Sequence, residues 1–491
     1  MEKNLVLDVE ENPKKLSHWL LFGIQHVLAM LVACITVPLI TGLPIAATLI
    51  AAGIGTLFYI FVTKKKSPVF LSSSFAYISP MSSALAVGLI NNAGGQNYFA
   101  LILGMLFVGI VYVAIAIVIK FIGTKWLDKV LPPIVVGPVI MVIGLGLATS
   151  AVNNLTGVNT GNDADYNLIK ILCGLIAMFA TAFASHYGKN KMIGLIPFIV
   201  GMGSGYIAAL LFTIFGSVIG KNAYFAIVDF APFEDLVNGF ESGDVGEIIA
   251  QIFNWKLFKP NDPESFMFLR FDAIKNFDWA TIGTVALLFI PVSLVTVCEH
   301  IGDHENLGNI IGRDLLNGEP GMTRTLTGDG IATAISGALC GAANTTYGEN
   351  VAVVGTTGIA STNVVLLAAV MSVVIGFFTP FTALLETVPA CVTGGVSLIL
   401  YGFIASSGVK MLISERIDFG KSKNIFIASV ILVAGIGGLA FNFGDYVKIT
   451  STAVAMILGI VLNFALVDKD EKKVEEKSAE KPVETEEPRV E

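Results

Sequence analysis

The sequence predicts an all-α polytopic membrane protein, and three features of its composition support that fold class. Of the 491 residues, 54% are apolar and only 14% are charged, whereas ordinary soluble domains are about 45–50% apolar and about 25% charged. The mean hydropathy is +0.76. The 50 glycines are typical of membrane helices, in which small residues let two backbones approach closely. This composition excludes a soluble globular enzyme, a disordered chain and a nucleic-acid-binding protein.

A membrane-spanning helix needs about 20 apolar residues, and the sequence contains fourteen candidate segments. In chain order they cover residues 19–41, 43–63, 68–90, 97–119, 131–153, 165–185, 193–216, 279–302, 326–341, 344–360, 363–384, 387–407, 424–442 and 448–467. Segments 3 (68–90) and 10 (344–360) are the least regular, because Gly, Pro, Ser and Asn interrupt them. We therefore expect these two segments to be broken helices.

Basic residues alternate between the loops, which indicates how the chain is oriented. The short loops on one side hold only Lys448. The loops on the other side hold Lys64, Lys65, Lys66, Lys120, Lys125, Lys129, Lys189, Lys191, Arg313, Arg324, Lys410, Arg416, Lys421 and Lys423. Since cytoplasmic loops carry the excess of Lys and Arg, we expect both termini in the cytoplasm.

The chain is predicted to have five parts. Residues 1–17 lack the apolar core of a cleavable signal and are expected to form a cytoplasmic N-terminal tail. Segments 1–7 occupy residues 18–216, and segments 8–14 occupy residues 279–467. Between them, residues 217–278 form a polar, acidic insertion on the extracellular side. Residues 468–491 are almost devoid of apolar side chains and predict a disordered, charged cytoplasmic tail.

The two groups of seven segments resemble each other. Four short matches each pair one segment with the segment seven places later. The matched residues are 131–139 with 388–396, 25–26 with 299–300, 41–42 with 327–328 and 73–76 with 345–348. Because seven is odd, the second copy enters the membrane from the opposite side. Such an inverted repeat is typical of secondary transporters, whose site lies near the midplane where discontinuous helices meet. Segments 3 and 10 are therefore expected to form the site.

Three carboxylates in or at the end of these apolar segments are candidates for function. Glu299 and Asp303 are four residues apart at the end of segment 8 and therefore share one helix face. Glu349 follows Gly348 directly in segment 10. An ionisable residue at the centre of a bilayer costs about 2.5–3.5 kcal/mol, so it usually faces a site or a pathway. We expect all three to bind substrate or to carry a proton; the alternative for Glu349 is that it only caps a half-helix.

No metal site or cofactor is predicted. His300 and His304 lie four residues apart beside Asp303, which could indicate a metal cluster. However, segment 8 is leaving the membrane there, and no matching Cys or His occurs elsewhere. His26 is expected to make a hydrogen bond between helices. Asp329, within the sequence TGDG, could indicate an intramembrane aspartyl protease, but no paired Asp motif accompanies it.

Six motifs carry a resemblance to a known family. They are residues 25–30 (QHVLAM), 73–80 (SSFAYISP), 299–302 (EHIG), 312–316 (GRDLL), 328–333 (GDGIAT) and 344–350 (NTTYGEN). Together they resemble the nucleobase–cation symporter-2 family, also called nucleobase–ascorbate transporters, and within it they look most like bacterial uracil permeases. The likeness runs from about residue 18 to about residue 465, apart from the insertion.

The chain departs from this family's pattern at three positions. In the signature motif, Ala352 replaces the usual Gly, and Gly358 stands where uracil permeases usually have a basic residue. Asp303 stands where a well-known uracil transporter of the family has His, one helical turn after the Glu of segment 8. The change at Ala352 affects packing, the change at Gly358 bears on the choice of base, and Asp303 bears on how a proton is coupled.

The resemblance implies a fold of two inverted sets of seven segments. Segments 1–4 and 8–11 would form a core domain, segments 5–7 and 12–14 a gate domain, and segments 3 and 10 would contain short strands. The residues that correspond to the family's substrate contacts are Phe75, Glu299, Tyr347, Gly348, Glu349 and Tyr401. By this resemblance, the two carboxylates accept hydrogen bonds from ring N–H groups. Backbone N–H groups of the half-helices contact the base and its oxygens, and the aromatic rings provide apolar or stacking contacts.

The sequence therefore predicts a secondary active transporter of the plasma membrane that imports a nucleobase. Uracil is the expected base, and we expect proton symport with an elevator-like motion. Uracil is neutral, so a coupled proton would supply the driving force. The expected partners are the base, a proton, the lipid bilayer and a second copy of the chain in a homodimer, with no nucleic acid. A xanthine or other purine permease of the same family, and an anion transporter sharing the fold, remain alternatives.

Overall fold

The computed structural model of the protein describes residues 5–87, 96–157, 167–188, 194, 196–220, 222–241, 245–262, 265–443 and 447–466. Its helices and strands are α1 (Leu16–Thr41), α2 (Ile45–Val62), β1 (Leu71–Ser73), α3 (Ile78–Leu85), α4 (Tyr98–Ile122), α5 (Lys125–Val130), α6 (Pro133–Gly146), α7 (Ala148–Thr156), α8 (Leu168–Tyr187), α9 (Pro197–Val218), α10 (Asn222–Phe225), α11 (Ala231–Glu241), α12 (Val245–Ile252), α13 (Phe271–Lys275), α14 (Ile282–Ile311), α15 (Met322–Ala338), β2 (Asn344–Thr346), α16 (Gly348–Thr357), α17 (Thr362–Phe377), α18 (Thr379–Glu386), α19 (Ala390–Ser414), α20 (Ser422–Ile436), β3 (Phe441–Phe443), β4 (Val447–Ile449) and α21 (Ser451–Ala465).

The long helices have the length and the surface of membrane spans. Within the described ranges, 8 helices have at least 18 residues and are apolar enough to cross a membrane. Their exposed side chains include large apolar groups such as Phe121 of α4, Phe183 of α8 and Leu211 of α9. A broad apolar surface of this kind is suited to lipid rather than to water. The protein is therefore a mostly helical, multi-pass membrane protein.

Segments 3 and 10 each combine a short strand with a short helix, and the two expected strands are present. β1 and β2 pair in antiparallel fashion, with Leu71 opposite Thr346 and Ser73 opposite Asn344. Both strands are fully buried. A 3-10 turn at residues 75–77 leads from β1 into α3, and α16 begins two residues after β2. The ribbon thus places the amino termini of two half-helices inside the protein.

The helices pack into two groups. The first bundle contains α1–α4 and α14–α17, which contact one another and hold the β1–β2 ribbon. The second bundle contains α6–α9 and α19–α21. Each bundle combines helices from both halves of the chain, so neither half forms a separate unit.

Gly174 of α8 and Gly395 of α19 mark a very close approach of two backbones in the second bundle. A Cβ atom added at Gly395 would overlap the carbonyl oxygen of Gly174. We expect Gly395→Ala to lower stability by about 1–3 kcal/mol, because overpacking forces such a backbone apart. The thermal unfolding midpoint of the detergent-purified protein measures this effect. Gly402→Ala on the same helix is the control, because nothing lies within 4 Å of its added Cβ. Equal midpoints for the two variants would contradict the close approach.

The structure describes most of the predicted insertion and none of the predicted disordered tail. The insertion 217–278 contains α10–α13, and it contacts both bundles. The Asn167 amide at the start of α8 donates to the carbonyl oxygen of Tyr224 (2.8 Å), and the Arg270 guanidinium lies 3.7 Å from the ring centre of Tyr98. The predicted disordered tail, residues 468–491, lies outside the described residues.

Candidate functional site

The β1–β2 ribbon positions two half-helix amino termini for a common site. Phe75 begins the 3-10 turn after β1, and Tyr347 and Gly348 stand at the start of α16 after β2. Because the strands are antiparallel, these two starts leave opposite ends of the ribbon. The first N–H groups of a helix have no partner within it and attract negatively polarised atoms. One small molecule can therefore receive hydrogen bonds from two sides.

The three predicted carboxylates meet beside the start of α16. Thr346 Oγ1 donates to Asp303 Oδ2 (2.7 Å), and Asp303 Oδ1 lies 3.3 Å from where a Cβ of Gly348 would be. Glu299 lies one turn earlier on α14, and its carboxyl group interacts electrostatically with those of Asp303 and Glu349. All three acidic residues are half-buried. The structure thus brings Glu299 and Asp303 of α14 together with Glu349, which is distant from them in sequence.

Glu349 also lines a cavity of about 200 Å³ between the two bundles. The other lining residues are Ala29, Val32, Gly194, Ile196, Pro197, Phe198, Ala352, Val353, Thr356 and Phe403. The rings of Phe198 and Phe403 pack edge to face, with centroids 5.9 Å apart. The sequence analysis missed both residues, because a phenylalanine within an apolar segment gives no signal of its own. The cavity is mainly apolar, with the carboxyl group on one wall.

Phe75 and Tyr401, the remaining predicted aromatic contacts, are both buried. Phe75 stands at one end of the ribbon. Tyr401 lies on α19, where its carbonyl oxygen packs closely on Gly144 of α6. Within the described part of the chain, its side chain makes no hydrogen bond to the acidic residues. Phe403, two residues further along α19, lines the cavity beside Glu349.

His300 and His304, on the same helix as Glu299 and Asp303, belong to a network of fully buried polar side chains. His300 Nδ1 donates to Asp329 Oδ2 (2.7 Å), and His304 Nδ1 donates to the carbonyl oxygen of His300 (2.8 Å). The Tyr59 hydroxyl lies 2.6 Å from His304 Nε2 and donates to Ser67 Oγ (2.9 Å). α14 continues past His304 to Ile311, and the imidazole is buried inside the first bundle.

His26 and Asn350 join α1 to α16 next to the site. The Asn350 amide donates to His26 Nδ1 (3.2 Å) and also approaches the carbonyl oxygen of His26 (3.4 Å). This contact fixes the residue that follows Glu349. Among the residues that the structure describes, no three His, Cys, Asp or Glu side chains are grouped to hold a metal ion.

The arrangement is suited to binding rather than to bond cleavage. Carboxylates provide strong hydrogen-bond acceptors, half-helix N–H groups provide donors, and the cavity walls are apolar. A site with a few converging polar groups in a mainly apolar cavity is typical of small-molecule recognition. Its chemistry fits a small, flat molecule that carries both N–H donors and carbonyl acceptors.

Solved structures share this fold. The transmembrane domain of the cyanobacterial bicarbonate transporter BicA matches with a TM-score of 0.58 and 13% identity, covering 93% of this chain and 99% of that one. The murine anion transporter Slc26a9 in its inward-facing state matches with a TM-score of 0.61 and 9% identity, covering 93% of this chain and 69% of that one. The fold therefore defines a multi-pass membrane protein, and its candidate small-molecule site lies beside two broken helices.

Sequence comparison gives the family. Residues 17–443 match the family described as "Permease family". The uracil permease of Bacillus caldolyticus is 38% identical over 461 residues, which is 94% of each chain. The uracil permease of Bacillus subtilis (strain 168) is 35% identical over 480 residues, covering 96% of this chain and 98% of that one. The chain belongs to this permease family, the nucleobase–cation symporter-2 family, and is a transporter rather than an enzyme.

Proposed function

We propose that the protein imports uracil across the plasma membrane by proton symport. The observation that carries this proposal is the meeting of Glu299 and Glu349 beside the start of α16 in a chain similar to uracil permeases. A uracil ring presents two N–H donors and two carbonyl acceptors. Two carboxylates match its donors, and the unpaired N–H groups of the half-helices match its acceptors.

In the proposed complex each site residue has one role. Glu299 and Glu349 accept hydrogen bonds from the ring N–H groups. Backbone N–H groups at Phe75 and Gly348 donate to the ring oxygens. The rings of Phe75, Tyr347 and Tyr401 are proposed to cover the base, and this stacking contact requires Tyr401 to approach from the second bundle. These roles follow the family resemblance, and the cavity that Glu349 lines supports the role of that residue.

The coupled proton is proposed to bind one of Glu299, Asp303 and Glu349. Uracil carries no charge, so the membrane potential alone cannot concentrate it. A proton that binds together with the base neutralises part of the acidic cluster and lets the loaded site cross the membrane at lower electrostatic cost. The mutual electrostatic interaction of the three groups supports this assignment.

We further propose fourteen membrane segments in two inverted sets of seven, with both termini in the cytoplasm. The first bundle would then be the core domain that carries substrate, and the second bundle the gate domain. An elevator-like shift of the core against the gate gives access from each side in turn. A homodimer formed through the gate domain is part of the same proposal. The division of the helices into two bundles, each drawn from both halves, supports this architecture.

Uptake of radiolabelled uracil into proteoliposomes tests the proposal. We expect uptake only when an inward proton gradient is imposed, and recovery of chemically unchanged uracil inside. An ionophore that dissipates the gradient is the control. Uptake that is indifferent to the gradient would contradict proton symport, and preferential competition by xanthine would favour a purine permease. Inhibition by bicarbonate is not expected, because three carboxylates at the site oppose an anion.

A further inference from the structure

Residues 5–13, which precede the first helix, form an ordered segment that we call the N-terminal clip. The backbone N–H groups of Val6 and Leu7 donate to the carbonyl oxygen of Gly358 (2.8 and 3.2 Å). In return, the N–H of Ala360 donates to the Leu7 carbonyl oxygen (2.8 Å), and Leu7 and Ile359 form a parallel β-bridge. The clip is therefore paired, backbone to backbone, with the turn that ends α16.

Side chains attach the clip to other elements of the first bundle. Arg313, just after α14, makes an ion pair with Asp8 (2.7 Å). Lys66, just after α2, makes one with Glu10 (2.9 Å), and this contact lowers the pKa of Glu10 from its ordinary value. Between the two acidic residues, Val9 is only 1% exposed. The alternation of charged and buried residues shows a segment built to lie on a surface, not a free tail.

The helix held by the clip is the one that carries Glu349. α16 has only 10 residues, and a helix this short is marginal without support from its surroundings. Protein does not pack against α16 on all sides: the cavity of about 200 Å³ lies beside Glu349, and an open groove of about 600 Å³ is lined by the clip, Ile310 and the last turns of α16. The carbonyl groups at a helix end also need external partners. The clip supplies donors to Gly358, the residue that caps α16.

We propose that the N-terminal clip is a positioning element for substrate binding, which fixes the far end of α16 and thereby holds Glu349 at the site. This inference rests on the proposed function. All the partners of the clip described above belong to the first bundle, so the clip moves with the substrate site instead of opening and closing over it. The clip also lies before residue 17, where the match to the permease family begins.

Equilibrium binding of radiolabelled uracil to the detergent-purified full chain tests this role. Val9→Asp forces a charge into a buried position and is expected to release the clip, raising the Kd for uracil about tenfold while the chain stays folded. Val6→Asp is the matched control, because Val6 is 64% exposed; its Kd is expected to remain that of the wild type. An unchanged Kd for Val9→Asp would overturn the proposal.

Two milder variants keep the test decisive if Val9→Asp fails to fold. Asp8→Asn removes the ion pair with Arg313 and is expected to raise the Kd about threefold. Arg313→Gln removes that pair and also the longer contact with Glu10 (3.9 Å), so it is expected to raise the Kd at least as much, and the double variant no further than Arg313→Gln alone. The thermal midpoint without uracil is expected to stay constant, which separates positioning from a general loss of stability. Additive effects, or a midpoint that falls in step with affinity, would contradict the clip. A wild-type chain that binds no uracil contradicts the proposed function instead.

Discussion

Glu349→Gln is expected to abolish uracil uptake, with a loss of at least about 100-fold. The substitution keeps the shape of the side chain but replaces one acceptor oxygen by an NH₂ donor, which then faces the donor of the ring. A hydrogen bond to a charged group contributes about 1.5–3 kcal/mol, and each 1.4 kcal/mol is about a factor of ten in affinity. The repulsion of two donors in a confined site adds to this loss. Proteoliposome uptake under a proton gradient measures it.

Glu299→Gln is expected to have the same effect, because the ring has two N–H groups and each requires its own acceptor. Glu305→Gln is the matched control. Glu305 lies on the same helix as Glu299 but is exposed, so its neutralisation is expected to leave uptake within about twofold of the wild type. If both site carboxylates can be neutralised with transport intact, they do not bind the base.

The sequence was informative about the broken segments and much less so about the partners of buried polar groups. The interruptions at 68–90 and 344–360 predicted broken helices, and the family resemblance added the strands that the structure contains. Composition and hydropathy also predicted a helical membrane protein. Periodicity cannot give the register between two strands that lie more than 270 residues apart in sequence, such as Leu71 opposite Thr346.

The end of segment 8 shows what a single sequence leaves open. Asp303 and His304 stand where charged residues usually mark the end of a span, and nothing near them in the sequence indicates their partners. In the fold, Asp303 accepts from Thr346, and His304 meets Tyr59. A polar residue can be buried deep in a protein when a residue distant in sequence makes a hydrogen bond to it. A single sequence does not identify that partner.

The N-terminal clip was hidden for the same reason. Residues 1–17 mix acidic, basic and apolar side chains, which is typical of a solvated tail. The surface that the clip contacts consists of Lys66, Arg313 and the turn at 358–362. These residues are far apart in sequence, so no local sequence pattern indicates that they lie together. Only the folded first bundle creates the groove that buries Val9.

The buried pair of Asp329 and His300 leads to the second large prediction, which concerns stability. Both side chains are 0% exposed, and His300 Nδ1 lies 2.7 Å from Asp329 Oδ2. Removing one partner of such a pair leaves the other buried without its hydrogen bond, which costs about 3–5 kcal/mol. We therefore expect Asp329→Leu and His300→Leu each to lower the thermal midpoint of the purified protein by a large and similar amount.

The double variant shows whether Asp329 and His300 contribute to stability as a pair or independently of each other. Replacing both members of a buried pair by apolar groups is often neutral or stabilising, so Asp329→Leu with His300→Leu is expected to recover most of the lost stability. Lys259→Leu is the control, because its partner Asp262 lies at 4.0 Å and the Lys259 side chain is 73% exposed; exposed pairs contribute about 0–1 kcal/mol. A double variant less stable than either single one would mean that the two residues act separately. Recovery would mean that they stabilise the protein only through each other, which would make this pair a structural support directly beside Glu299 and the proposed substrate site.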